Sequence, residues 1–157
     1  MQPFIHLHVH SQYSVLDGQA SVKALVDKAI ANGMRGIALT DHGNMFGIKE
    51  LTDYVNKKNK DVDGEIKNLK KTIEELKSAD AVDQEALSKA ETALKEAESK
   101  IFTPIIGCEM YVADNDMTDR SNKKDIGRHL IVLAKNQHGY HNLIKLCLLY
   151  TSDAADE

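Results

Sequence analysis

The sequence predicts an α/β fold of parallel strands joined by right-handed crossovers and covered by helices, interrupted by an inserted antiparallel helical hairpin. Three observations carry this expectation. Strand-like runs at residues 4–10 and 36–40 alternate with amphipathic helical stretches, the same alternation resumes near residue 104, and residues 56–100 differ in composition from what surrounds them.

In the first run, Ile5, Leu7 and Val9 alternate with His6, His8 and His10, which reads as a strand with its three histidines on one face. Ser21 then caps a helix whose Val22, Leu25, Val26, Ala29 and Ile30 form one stripe, with Gly33 as its terminating residue. The second run delivers Asp41 and His42 at its C-terminal end. Asn44 or the neighbouring glycines open a further helix bearing Ile48, Leu51 and Val55.

Between residues 56 and 100, 21 of 45 residues are charged, none is aromatic and none is proline. Ile66, Leu69, Ile73 and Leu76 recur at helical spacing, as do Leu87, Ala90, Leu94, Ala97 and Ile101, with a break at 78–83 where Asp83 can cap the second run. A solvated coiled-coil hairpin follows from this narrow seam. Gly64 and the run Lys57, Lys58, Asn59, Lys60 are expected to interrupt its first arm. Beyond it, residues 104–112 and 129–134 read as strands separated by a polar loop, and a helix is expected to begin near Tyr140. Asp114, Asp116 and Asp119 in that loop imitate a calcium-binding spacing, but Asp119 stands where glycine is required and Asp125 where glutamate is, so a solvated loop is expected.

At 157 residues, 42% hydrophobic and 28% charged, the composition is that of a soluble globular protein with no run apolar enough for a membrane span, and a cytoplasmic location is expected. Cys108 and Cys147 are too few for a disulfide framework. The net charge of −4 arises mostly in residues 147–157, which hold three acids and no base. That segment reads as an adapter-derived, non-native tail and stands outside the fold expectation. No basic footprint for duplex DNA is present, so any main nucleic-acid surface is expected elsewhere.

Five of seven histidines, His6, His8, His10, His42 and His129, fall in or at the ends of expected strands, where valine or isoleucine would be usual. Imidazoles at i and i+2 on one strand face stand about 6–7 Å apart and can reach one ion between them. Asp41, His42, Glu109 and His129 add further ligand types at strand ends, which converge on one rim in a parallel barrel. Nitrogen and carboxylate donors suit Zn, Mn or Fe, and a bridging carboxylate such as Glu109 permits the paired ions used in phosphoester hydrolysis.

Four blocks, residues 6–18, 39–44, 105–112 and 129–143, together resemble the opening of the PHP (polymerase and histidinol phosphatase) domain of bacterial DNA polymerase III alpha subunits. The resemblance covers nearly everything outside the hairpin and the tail. It implies a distorted, TIM-like β/α barrel, present here in part, whose rim holds two or three divalent metals on His8, His10, Asp17, His42, Glu109 and His129. Asp41 is expected to orient a ligand imidazole by accepting its N–H. His6 is expected to pack nearby, and His138 and His141 to lie on the surface. The resemblance further implies a metal-dependent phosphoesterase of 3′-5′ exonuclease type within a DNA-directed DNA polymerase. Its expected partners are DNA, a proofreading exonuclease subunit and a sliding clamp. Ligands that the family places later, including an Asp-x-His element, are absent, and the isolated fragment is expected to be inactive. Two rival readings are a free-standing phosphatase of small phosphomonoesters and a metal-stabilised scaffold. The native parts of the domain are 1–55 and 101–146, with 56–100 as the insertion. These 101 residues fall short of the ~250 of a complete barrel.

Overall fold

The computed structural model describes residues 4–79, 83–113 and 127–154, the last five of these by backbone alone. Its elements in chain order are α1 (Val22–Ala31), β1 (Gly36–Leu39), α2 (Ile48–Ser78), α3 (Gln84–Lys100), β2 (Thr103–Val112), β3 (Arg128–Leu133) and α4 (Gln137–Ala154). Among the described residues this is a mixed α/β fold around one sheet of order β1-β2-β3. The expected calcium-like loop, with Asp114, Asp116, Asp119 and Asp125, lies outside the described residues.

Ser21 caps α1 by accepting from the Ala24 N–H, and Gly33 ends the helix at φ 73°, where a side chain would be strained. The buried stripe Val22, Val26 and Ala29 meets Ile37 and Leu39 of β1, Ile48, Leu51 and Val55 of α2, and Phe102. Each valine, leucine or isoleucine among them contributes about 1.5–3 kcal/mol by leaving water. α1 and the start of α2 are thereby fixed against the sheet, and the loops between these elements become the rim of the site.

Residues 4–10 do not enter a strand ladder, contrary to expectation. They run beside β1, where the Ala38 N–H donates to His6 O and the Thr40 N–H to Val9 O, each at 2.9 Å. Two residues of β1 are thus matched by three of the segment, one more than a parallel ladder accommodates. The extra residue is absorbed as a bend at Leu7. The Thr40 hydroxyl accepts from the Val9 N–H at 2.9 Å and donates to Val9 O at 3.2 Å, doing by side chain what the ladder would have done.

β1 and β2 pair in parallel as expected, but β2 and β3 pair antiparallel, from Val112↔Arg128 to Gly107↔Leu133. The expectation of parallel pairing fails because the end of β2 and the start of β3 are register partners. A parallel return would have to climb the ~33 Å of a ten-residue strand, whereas Val112 and Arg128 already lie side by side at one end.

α2 runs unbroken for 31 residues, so neither the lysine run nor Gly64 interrupts it. The ~1 kcal/mol helix cost of one glycine is outvoted by tertiary anchoring at both ends, with Val55 in the main core and Ile73 in the hairpin seam. α3 returns antiparallel, with Asp83 accepting from the Glu85 and Ala86 N–H groups at 3.0 Å. Ile73 and Ala97 are buried between the helices, and Lys70–Glu98 and Lys77–Glu91 pair across them. α4 starts three residues earlier than expected and continues through the tail segment. Its Leu143 and Cys147 pack on Cys108 of β2, and both cysteines are free thiols.

Candidate metal centre

The sheet register brings the site together. Beyond β1 the parallel pairing continues as an isolated bridge between His42 and Glu109, with the Glu109 N–H donating to Asp41 O at 3.1 Å and the Gly43 N–H to Glu109 O at 2.8 Å. Across β2, Glu109 and Tyr111 share one face, and Tyr111 is the register partner of His129. Residues about 65 positions apart in sequence thereby become neighbours. On the other side of β1, the segment ending in His10 approaches the same carboxylate.

Glu109 is 1% exposed, yet four imidazoles face it. His8 Nε2 and His10 Nε2 lie 2.5 and 2.9 Å from Oε2 and 3.0 Å from each other. His42 Nδ1 and His129 Nδ1 lie 2.9 and 2.6 Å from Oε1. Asp17 completes the ring, its Oδ2 lying 3.0 Å from His10 Nδ1 and 2.6 Å from His42 Nε2. All six residues expected as ligands from the sequence therefore converge, in three overlapping groups: His8, His10, Glu109; His10, Asp17, His42; and His42, Glu109, His129.

Burial pushes the Glu109 carboxyl up, but hydrogen bonds from His10 and His8 and the fields of His42 and His129 outweigh it, leaving it below its ordinary value. For Asp17 the same balance holds, with desolvation overcome by hydrogen bonds from His42 and His10. Both acids are therefore anionic near neutrality. The donors fit a divalent ion on a second count. Glu109 Oε1 is buried without a hydrogen bond although two nitrogens face it, a costly arrangement for an acceptor. Two ligands of one ion, each ~2.1 Å from it, stand about 3.0–3.4 Å apart. The His8–His10 pair at 3.0 Å and the 2.9 Å contacts of His10 and His42 lie close to that spacing, while the His8 and His129 contacts to Glu109, at 2.5 and 2.6 Å, lie below it.

Lone pairs limit how the groups combine. A neutral imidazole offers one, so His10 serves either its group with Glu109 or its group with Asp17, and His42 faces the same choice. The two groups that share only Glu109 can fill together, because a carboxylate has two oxygens. A third position requires donors beyond the described residues. Where His10 ligates through Nε2, its Nδ1–H is free to donate to Asp17.

The expected role of Asp41 is corrected. No imidazole N–H reaches it among the described contacts, and it is 2% exposed with its oxygens already taken. Oδ1 accepts from the Ser11 N–H at 2.6 Å and the Ser14 hydroxyl at 2.9 Å, and Oδ2 from the Ser11 hydroxyl at 2.9 Å. Tyr111 is the residue that sequence reasoning missed. Its hydroxyl lies 3.0 Å from His42 Nδ1 and its ring packs edge-on to His129. Its spacing two residues after Glu109 was the available signal, since both lie on one strand face. His6 stays out of the cluster, ring-packed on Phe4, while His138 and His141 are exposed on α4.

The sequence model of the PHP domain matches residues 6–155. Among curated relatives, DNA polymerase III subunit alpha of Treponema pallidum (strain Nichols) is 40% identical over 146 residues, covering 91% of this chain and 9% of that protein. The same subunit of Borreliella burgdorferi is 38% identical over 148 residues, with 91% and 9% covered. That of Chlamydia trachomatis is 33% identical over 148 residues, with 93% and 8% covered. The chain thus spans less than a tenth of the length of these relatives, and the match falls in their N-terminal region. A free-standing phosphatase is not favoured by this set. With four imidazoles and two acids gathered in one cluster and the whole site inside the matched region, the chain belongs to the PHP domain family.

Proposed function

We propose that this chain is the amino-terminal PHP portion of a replicative DNA polymerase alpha subunit, and that its site is a metal-dependent phosphoesterase centre of 3′-5′ exonuclease type. One observation carries the reading: a single buried carboxylate, Glu109, is faced on its two oxygens by separate pairs of imidazoles. This donor arrangement supports a site that would take divalent cations on both sides of Glu109. His8, His10, His42, Glu109 and His129 would hold them, with Asp17 as ligand or as acceptor of imidazole N–H groups. Zn, Mn or Fe bound there would supply Lewis acidity toward a phosphoryl oxygen and a water acidic enough to ionise near neutral pH.

The chain's own residues have distinct tasks. Glu109 brings fixed negative charge into a dry position, where it offsets the cations without competing water. Asp17 holds His10 and His42 in one orientation, and Tyr111 stacks on His42 and meets His129 edge-on. His8 and His129, each with about half its side chain exposed, form the open flank by which a phosphodiester end would approach. The strands of this chain would be part of a distorted β/α barrel, with residues 1–55 and 101–146 belonging to it, 56–100 as a solvated insertion and 147–157 as non-native tail. DNA and the other replicase subunits would be engaged by the whole polymerase.

Metal analysis and digestion of a 3′-mismatched primer by the full-length protein test the proposal. Loss of digestion in His8→Ala and His10→Ala is expected, with polymerase activity retained. Undiminished digestion in both variants would overturn it.

A further inference from the structure

The loop that carries Asp17 is held by a buried polar cluster outside the ligand set. Ser11, Ser14 and Asp41 are 0%, 2% and 2% exposed. Within the loop, the Ser14 carbonyl accepts from the Asp17 N–H at 3.1 Å and the Gly18 N–H at 2.7 Å. A Cβ on Gly18 would stand 1.8 Å from Ser11 O, so the turn closes on itself too tightly for any side chain there. The Ser14 hydroxyl donates to Asp41 Oδ1 at 2.9 Å and accepts from the His42 N–H at 3.1 Å. Ser14 therefore holds Asp17 through its carbonyl and His42 through its hydroxyl. The functional atoms of Asp17 and His42 are themselves 2.6 Å apart.

From this we infer that Ser14, oriented by Asp41, is a positioning residue that sets the Asp17–His42 spacing. The inference rests on the metal reading of the site. The hydroxyl has one proton, and Asp41 takes it, so the oxygen must present a lone pair to the His42 N–H. Asp41 in turn cannot rotate, because the Ser11 N–H and hydroxyl fix both its oxygens. The polar side of the turn is thus fully satisfied, which makes its geometry single-valued. No side chain of this cluster touches His8 or the Glu109 carboxylate among the described contacts. Glu109 meets it only through its backbone N–H, which donates to Asp41 O at 3.1 Å, so the cluster's side chains act on the Asp17–His42 part of the centre.

Cobalt titration of the full-length protein, followed by visible absorption, separates these parts. Asp17→Ala and His8→Ala first define which spectral component belongs to which end of the site. Ser14→Ala is expected to weaken the Asp17-dependent component about tenfold or more, in the range typical for groups that orient ligands, and to spare the His8-dependent one. Ser14→Thr, which restores the hydroxyl, is expected to recover it. An unchanged spectrum in Ser14→Ala, or equal loss of both components, overturns the inference. Should Ser14→Ala not fold, Ser11→Ala decides: it removes one of the two Ser11 groups that hold Asp41, so the Asp17-dependent component should weaken while the His8-dependent one stays within about twofold of wild type. An unchanged spectrum or equal loss of both overturns the inference. If the wild-type chain binds no cobalt, the metal reading itself fails, an outcome distinct from all of these.

Discussion

Glu109 occupies a position in β2 where its neighbours in the register, Ile131 and His42, would permit any strand residue, yet it is an acid sealed from water. Glu109→Gln keeps the shape and removes the charge. Because it strips a shared ligand, it should reduce metal affinity by more than the roughly 10–100-fold that orienting partners command, as read by calorimetric titration. The same side chain gives a pH test in metal-free buffer. Its carboxyl is held below the ordinary 4.5, so the unfolded chain binds its proton more readily than the folded one. Its stabilising contribution is therefore complete above about pH 4.5 and is lost as pH falls through the depressed folded value. Melts of wild type and Glu109→Gln should converge over that interval, and a difference that ignores pH would contradict the sign. At this scale the sequence was informative about identity and silent about contact. The histidines and acids stood out because strands seldom hold them, but Asp41 was assigned an imidazole partner it lacks, and Tyr111 passed unnoticed. Side-chain partners depend on distances between segments, which spacing along one segment cannot provide.

Elements behave differently. Helix caps and stripes are encoded locally, and Ser21, Gly33 and Asp83 sit where their chemistry predicts. Asp83→Ala should cost about 1 kcal/mol, seen as earlier fraying of α3 by hydrogen exchange, with the metal site unaffected. Ile73→Ala, in a seam only one side chain deep, should cost about 2–3 kcal/mol in the same measurement and again leave metal binding intact. Loss of metal binding in either variant would show that the hairpin supports the centre. The elements misread were those decided by other elements. The first segment is an extended strap in place of a strand because β1 accepts only part of its register, and α2 stays continuous because both of its ends are anchored.

The molecule as a whole leaves much apolar surface uncovered. Phe4, Val15, Leu16, Phe46 and Leu130 are all more than half exposed, and β3 pairs with β2 on one edge only among the named strands. The isolated 157-residue chain should bind a hydrophobic dye and melt over a broad range. A sharp, cooperative calorimetric transition of the monomer would contradict that. By itself the sequence determined the α/β alternation, the charged hairpin and the unusual histidines and Glu109 in strand-like runs, because periodicity, composition and unusual residue types are properties of short stretches. The full set of six, Asp17 included, came from the resemblance to the PHP family. Only the tertiary structure decided that β3 runs antiparallel, that Glu109 faces four imidazoles and that Ser14 ties Asp17 to His42. Those facts are set by register and packing between segments up to about a hundred residues apart, where the free energy of one contact depends on all the others being made.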